Sequence, residues 1–223
     1  KSAFLWIKGY FYNTDPKRIL IALFEKQNNL PEIKKILNTL DGHYGLIYQN
    51  KGIAIISVDK ISSIPIYYLH DKAEKIFYVY SNSLNSSKKT KLKRINSLSA
   101  LDFSMSGYTI GSETLFSEVK LLEPGKFIYQ KNSKLKIESF FLYEPWNIII
   151  DEKPKLKIEL KEIILRNISN LIDSVNNRPI VIPLSAGIDS RLIASVIKFL
   201  GYKNVYCFSY GSKDNSESKV SKS

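Results

Sequence analysis

The spacing of apolar positions changes character several times along the chain. An apolar and aromatic run at residues 3–7 predicts a strand, Gly9-Tyr10-Phe11-Tyr12-Asn13 leads out of it, and a turn at Asp15-Pro16 starts a helix. Ile19, Leu20, Leu23 and Phe24 share one face of that helix. Leu30, Ile33, Ile36, Leu37 and Leu40 repeat the spacing in a second amphipathic helix, which starts near Pro31 and stops before Gly42. From Tyr44 the period shortens. Residues 44–49, 53–58, 65–69 and 76–81 are successive β-rich runs, separated by turn chemistry at Asn50-Lys51-Gly52 and His70-Asp71-Lys72. A largely antiparallel sheet with helices beside it is the predicted architecture of this half.

The second half reads differently. Residues 144–154 form a linker in which Ile148, Ile149 and Ile150 are candidates for an edge strand. A long helix follows from Pro154 to about Val175, with Leu156, Leu160, Ile163, Ile164, Ile168, Leu171, Ile172 and Val175 on the face that should pack on a sheet. Ile180-Val181-Ile182, between two prolines, has the continuous apolar character of a buried parallel strand. Ser185, Ala186 and Gly187 then make a turn of small residues. Asp189 opens a helix marked by Leu192, Ile193, Val196, Ile197 and Leu200 and ended by Gly201. Residues 205–211 read as the neighbouring parallel strand, with Cys207 as a small buried hydrophobe.

A strand, a small-residue turn and a helix start make an anion site, because free backbone N–H groups and the positive helix end converge on one spot. Ligands of open α/β sheets bind beyond the C-terminal strand ends, so Leu184 to Ser190 and Ser209 to Gly211 should line one crevice. The same residues are also compatible with a plain turn. Neither G-x-x-x-x-G-K-[ST] nor G-x-G-x-x-G occurs anywhere in the chain. Asp189 suits magnesium, which takes one or two carboxylates together with phosphate oxygens and water, and it also suits a helix cap.

Composition narrows the classes. Of 223 residues 44% are hydrophobic, so the chain should fold rather than stay disordered. Thirty-three Lys and Arg against 21 Asp and Glu leave +12, but the lysines are scattered and nucleic acid is not an expected partner. The densest cluster, Lys88, Lys89, Lys91, Lys93 and Arg94, lies in a Ser-rich segment expected to be a solvated loop. One cysteine and two histidines exclude a disulfide framework and a zinc constellation and fit a reducing, cytoplasmic setting. No signal peptide and no stretch of membrane-spanning length are present, and the start at Lys1 rather than Met fits a processed or truncated product.

Ser185-Ala186-Gly187-Ile188-Asp189-Ser190 resembles the S-G-G-x-D-S loop of the ATP pyrophosphatase superfamily, with Ala186 in place of the first glycine. Independently, L-D-G-H-Y-G-L-I-Y (40–48), V-D-K-I-S-S-I-P-I-Y-Y (58–68) and T-L-F-S-E-V-K-L-L-E-P-G-K (114–126) resemble, in order, segments of the glutaminase domain of asparagine synthetases. The resemblance runs from about Trp6 to the C-terminus. It implies an α+β unit followed by an α/β unit: an Ntn hydrolase-like αββα sandwich over residues 1–146, then the N-terminal part of a parallel-sheet ATP pyrophosphatase domain over 147–223. It further implies ATP and Mg²⁺ as cofactors, with Leu184, Ser185, Ala186, Gly187, Asp189, Ser190, Ser209 and Tyr210 binding the nucleotide and Asp189 serving the metal. Backbone groups at Tyr210 would touch adenine, and Ser212 to Glu217 match the polar loop into the next helix. The S-G-x-G-x-D-E stretch that such synthetases carry downstream does not occur in this chain.

The implied reaction is adenylation of a small-molecule or peptide carboxylate, followed by attack of ammonia or an amine to give an amide and AMP. Aspartate would be the substrate of an orthodox member, whereas β-lactam synthetases and lasso-peptide cyclases close a ring with an internal amine. A non-catalytic nucleotide-binding or scaffolding module is the reading of a different class. A homodimer is among the expected assemblies, and no side chain is assigned a catalytic role.

The glutaminase chemistry itself looks lost. Working members use an N-terminal cysteine as nucleophile, whereas residue 1 here is Lys. The family's N-G-E-I-Y-N segment corresponds to residues 8–13, so its asparagine and glutamate have become Lys8 and Tyr10, while Asp15 matches the other partner of the glutamine amino group. The expected outcome is that glutamine is not hydrolysed by this polypeptide; glutamate released above background in a coupled assay contradicts it.

Overall fold

The described residues of the computed structural model are 3–71, 76–81, 94–132, 134–146 and 150–210. They fall into two units, Lys1–Pro145 and Trp146–Ser223. The first contains β1 (Phe4–Phe11), α1 (Pro16–Lys26), α2 (Leu30–Thr39), β2 (Gly42–Asn50), β3 (Ile53–Val58), β4 (Tyr67–Asp71), β5 (Ile76–Tyr80), α3 (Ser97–Ser106), β6 (Lys120–Leu121), β7 (Lys126–Lys131) and β8 (Lys134–Ser139). The second contains α4 (Lys153–Ser174), β9 (Ile180–Pro183), α5 (Ile188–Phe199) and β10 (Val205–Phe208).

In the first unit an antiparallel sheet runs in the order β1-β2-β3-β7-β8. The period-2 rule sorts its side chains. Tyr44, Leu46 and Tyr48 of β2, Ile53 and Ile55 of β3, and Phe127 and Tyr129 of β7 pack with Ile19 and Leu23 of α1 and Ile33 and Leu37 of α2. The opposite face buries Ile56, Val58 and Ile128 with Ile66 and Leu122, and Tyr68 and Val79 of a second antiparallel sheet, β5-β4-β6, pack against this cluster. Three layers are thus described: helices, sheet, sheet. Each fully buried Leu or Ile in these clusters contributes about 1.5–3 kcal/mol of transfer free energy.

Caps set the helix starts. The Asp15 carboxylate accepts from the Lys17 and Arg18 amides, and the Asn29 side chain accepts from Glu32 N. Gln27, at the end of α1, fixes the helix to the sheet: its Oε1 accepts from Tyr48 and Asn50, both at 3.0 Å, and its carbonyl accepts from the Tyr129 hydroxyl at 2.9 Å.

Several elements depart from their expected bounds. β1 continues to Phe11 rather than ending at Ile7, because Gly9 takes a φ of +107° and lets the strand pass close to β2: a Cβ there would lie 1.9 Å from the His43 carbonyl oxygen. His70 and Asp71 belong to β4 instead of a turn, and Lys72 lies outside the described residues. Ile150 is 96% exposed and in no strand, while Ile148 and Ile149 are outside the described residues, as are Lys88 to Lys93. Arg94 pairs with Glu118 at 3.8 Å. Among the described residues no helix is long and apolar enough to cross a membrane.

The second unit departs further. β9 and β10 are parallel, Ile180 opposite Val205 through Pro183 opposite Phe208. Yet α4 has no buried residue and packs against α5, with Leu160 57% exposed. Among the described residues it is α5 that contacts β9. Cys207, expected to be buried, is exposed; among the described residues its strand pairs with β9 alone.

The turn between the two sheets hangs on Asp59, which is 3% exposed. Its carboxylate accepts from the amides of Tyr44 (3.0 Å), Ile61 (2.9 Å) and Ser63 (3.1 Å). Asp59→Asn turns an N–H₂ group towards donors and is expected to lower the unfolding free energy by about 3 kcal/mol. A urea titration that leaves the midpoint unmoved refutes this.

Candidate functional site

The C-terminal ends of β9 and β10 meet at residues 184–190. The Leu184 amide donates to the Phe208 carbonyl at 2.8 Å, and the Ser209 hydroxyl donates to the Leu184 carbonyl at 3.0 Å. Within the loop the Ser185 amide donates to Ser190 Oγ at 3.1 Å, the two serine hydroxyl oxygens are 3.0 Å apart, and the Gly187 amide donates to Ser185 Oγ at 3.2 Å. A Cβ on Gly187 would lie 3.1 Å from Ser185 Oγ, so the smallest residue gives this contact room.

Gly187 is the N-cap of α5, in extended conformation, and no side chain caps the helix. The α4 start at Glu152 is uncapped as well, whereas Asp15, Asn29 and Asn96 cap α1, α2 and α3; among the described residues, α5 alone of the two uncapped helices follows directly on a strand end and a turn of small residues. The first amides of α5 therefore keep their capacity for an anion, and the helix dipole adds about half a positive charge at this end. Arg191 adds a full one. Its Nε donates to the Gly187 carbonyl at 3.3 Å, which holds the guanidinium beside the loop. Sequence reasoning passed over this residue; its place one helical turn after Gly187 was the available signal.

The predicted residues thus divide. Leu184, Ser185, Gly187, Ser190 and Ser209 are brought together by hydrogen bonds, with Ala186 between them. Asp189 does not cap the helix: it lines a hollow of about 230 Å³ with Ile164, Asn167 and Ile168 of α4 and Leu192 and Ile193 of α5. Tyr210 is 79% exposed, with its ring 6.3 Å from that of Phe208. Gly211 and residues 212–217 lie outside the described residues. No group of three or more His, Cys, Asp or Glu able to hold a metal occurs among the described residues.

In the first unit, the positions matched to glutamine binding do structural work. Asp15 caps α1. Asn13 Nδ2 donates to the Thr39 carbonyl at 2.9 Å and its Oδ1 accepts from the Asp41 amide at 3.2 Å, tying the exit of β1 to the exit of α2. Tyr10 packs its ring on Tyr12 and His43, with centroids 5.4 and 5.5 Å away. Burial, with Tyr10 and Asp41 nearby, pushes the Tyr12 phenol above its usual value, so it stays protonated. The Ser63 hydroxyl lies 3.2 Å from the Asp59 carboxylate and 2.7 Å from His43 Nδ1, linking the two side chains. Lys1 is outside the described residues.

No protein-family model matches this sequence, and no curated protein matches it. Among solved structures the chain is similar to the glutamine phosphoribosylpyrophosphate amidotransferase of B. subtilis complexed with ADP and GMP, at 16% identity and a TM-score of 0.41, over 63% of this chain and 30% of that one. A structure described as the allosteric regulatory enzyme of purine biosynthesis is similar at 16% identity and a TM-score of 0.36, over 63% of this chain and 29% of that one. The chain therefore spans under a third of either. Likeness at this level leaves the reading of the chain to its own residues, and the asparagine synthetase resemblance rests on the motifs that carry it.

The paired serines give a direct test of loop order. Ser185→Ala and Ser190→Ala should each cost about 1 kcal/mol, and the double variant less than their sum, by about 0.5 kcal/mol or more. Strict additivity in a denaturation cycle means that the two hydroxyls do not hold each other.

Proposed function

We propose that residues 184–190 take the phosphates of ATP and that the protein forms amide bonds by adenylating a carboxylate for attack by ammonia or an amine. One observation carries this reading: the two parallel strands end at a loop of small residues whose helix has no side-chain cap. Such an end accepts anions through backbone N–H groups, which neither titrate nor need desolvation of a charged side chain.

The residues present fit a triphosphate. Around the loop, the α5 amides, the Arg191 guanidinium and whichever of the Ser185 and Ser190 hydroxyls does not donate to the other are donors. Ala186, matched to a family glycine, adds a methyl group and leaves its amide available as a donor. Asp189, which lines the hollow against α4, would serve magnesium only by turning towards the loop, where it would share the ion with phosphate oxygens and water. Bound ATP would supply an adenylyl group to the carboxylate and release pyrophosphate, after which the amine takes the acyl group and AMP departs. The contribution of the chain would be positioning and charge stabilisation around the leaving pyrophosphate.

The first unit, with two helices over one antiparallel sheet and a second sheet beneath, is compatible with an Ntn-like amidotransferase fold. In this proposal it serves stability or docking and not ammonia release.

The test uses the longest available form of the protein with a panel of carboxylates and labelled pyrophosphate. Exchange of label into ATP with aspartate supports a synthetase, and exchange with a peptide or a β-amino acid supports a cyclase. ATP binding without exchange identifies a non-catalytic nucleotide module, and no ATP binding overturns the proposal. Arg191→Ala should weaken ATP binding about tenfold, the scale of one charge-assisted hydrogen bond.

A further inference from the structure

The first unit contains a cavity that the reading above does not use. It has a volume of about 430 Å³, within the range of small-molecule sites. Tyr67 of β4, Phe103 of α3, and Tyr108 and Phe116 from the segment joining α3 to β6 supply aromatic walls, Leu121 an aliphatic one, and Glu113 the single charged side chain of the lining among the described residues. Phe103 is 48% and Tyr108 64% exposed, so their rings are accessible to a ligand.

The polar groups limit what can bind. The Thr109 hydroxyl donates to the Glu113 carbonyl at 2.8 Å, and the Thr114 hydroxyl donates to the Val119 carbonyl at 2.8 Å while accepting from the Phe116 amide at 3.1 Å. Both threonines are thus committed to the backbone. The Glu113 carboxylate accepts from Lys120 Nζ at 2.5 and 2.6 Å and from Asn96 Nδ2 at 3.0 Å. Two carboxylate oxygens offer about four acceptor sites, so these bonds do not exhaust them. An anion entering the cavity meets this carboxylate, and the described lining residues include no cation. A neutral ring would use the walls and leave the acceptor position that Lys120 and Asn96 do not fill without a donor. An ammonium group answers both, since aromatic faces attract cations and the carboxylate pairs with one.

We propose that this cavity binds a small organic cation, an ammonium group on an aromatic or alkyl body, with Glu113 as its counter-ion and Lys120 as the built-in competitor for that carboxylate. The cavity lies wholly within the first unit and is independent of the nucleotide reading.

The rivalry with Lys120 makes the test sign-specific. Calorimetric titration of the whole chain with 2-phenylethylammonium chloride is compared with 2-phenylethanol, which keeps the ring and replaces the cation by a hydroxyl. The ammonium should bind about tenfold more tightly than the alcohol. Glu113→Gln should abolish that preference, and Lys120→Gln, which releases the carboxylate, should strengthen ammonium binding about threefold or more. Circular dichroism and an unchanged urea midpoint establish that both variants fold. Equal binding of amine and alcohol, no saturable binding of either at millimolar concentration, or weaker ammonium binding by the Lys120 variant overturns the proposal.

Discussion

Asp59 is the joint on which the first unit depends. Its own amide donates to the Tyr44 carbonyl at 3.1 Å while its carboxylate takes the Tyr44 amide at 3.0 Å, so one residue closes the end of the β2–β3 pair in both directions. Its carbonyl accepts from Ser62 and, at 3.1 Å, from Gly125. The turn that carries the chain from one sheet to the other and the turn that brings it back are therefore fastened at the same point. Gly125 completes the arrangement: at a φ of +66°, a Cβ there would lie 2.4 Å from the Phe141 carbonyl oxygen, and its own carbonyl accepts from Phe140 and Phe141. A buried carboxylate with this many donors is costly to break, because removing either side strands polar groups away from water.

This joint explains what the motifs of the first half preserve. Asp59 stands in V-D-K-I-S-S-I-P-I-Y-Y, and Gly125 in the Pro-Gly turn of the third matched segment. Both keep two sheets together. The residues matched to glutamine chemistry are either replaced, as at Lys8 and Tyr10, or occupied with capping and clasping, as at Asp15 and Asn13. The second unit shows the opposite balance. Its core among the described residues is slight, centred on Ile182 and Ile197, whereas its loop carries a polar network built on the Ser185 and Ser190 hydroxyls.

Legibility in the sequence followed the environment of each element. The α1 and α2 stripes were plain because each helix buries one face and leaves the other wet. β7 was missed because Phe127, Ile128 and Tyr129 are buried in succession, which erases alternation. α3 was missed for a different reason: Ala100 and Phe103 lie opposite the face of Leu98, Leu101 and Met105, which blurs the apolar stripe, and that face stays exposed while Ser99 is buried. The exposed faces of α4 and Cys207 go together: among the described residues the parallel pair β9 and β10 has no further strand beside it and α4 packs on α5. At the loop, residue types and spacing revealed the serine pair and the helix start. The direction of Asp189 and the place of Arg191 depend on where α4 and the Gly187 carbonyl lie, which no local pattern encodes.

The exposure of Cys207 has a consequence for handling the protein in air. Sulfur chemistry allows each molecule a single covalent bond to a neighbour, since the chain has no other thiol. Oxidation can therefore link molecules two by two and must stop there, and the linkage would sit on β10, one residue before the carbonyl that holds Leu184. A non-reducing gel of aged material would show a doublet of masses and no ladder.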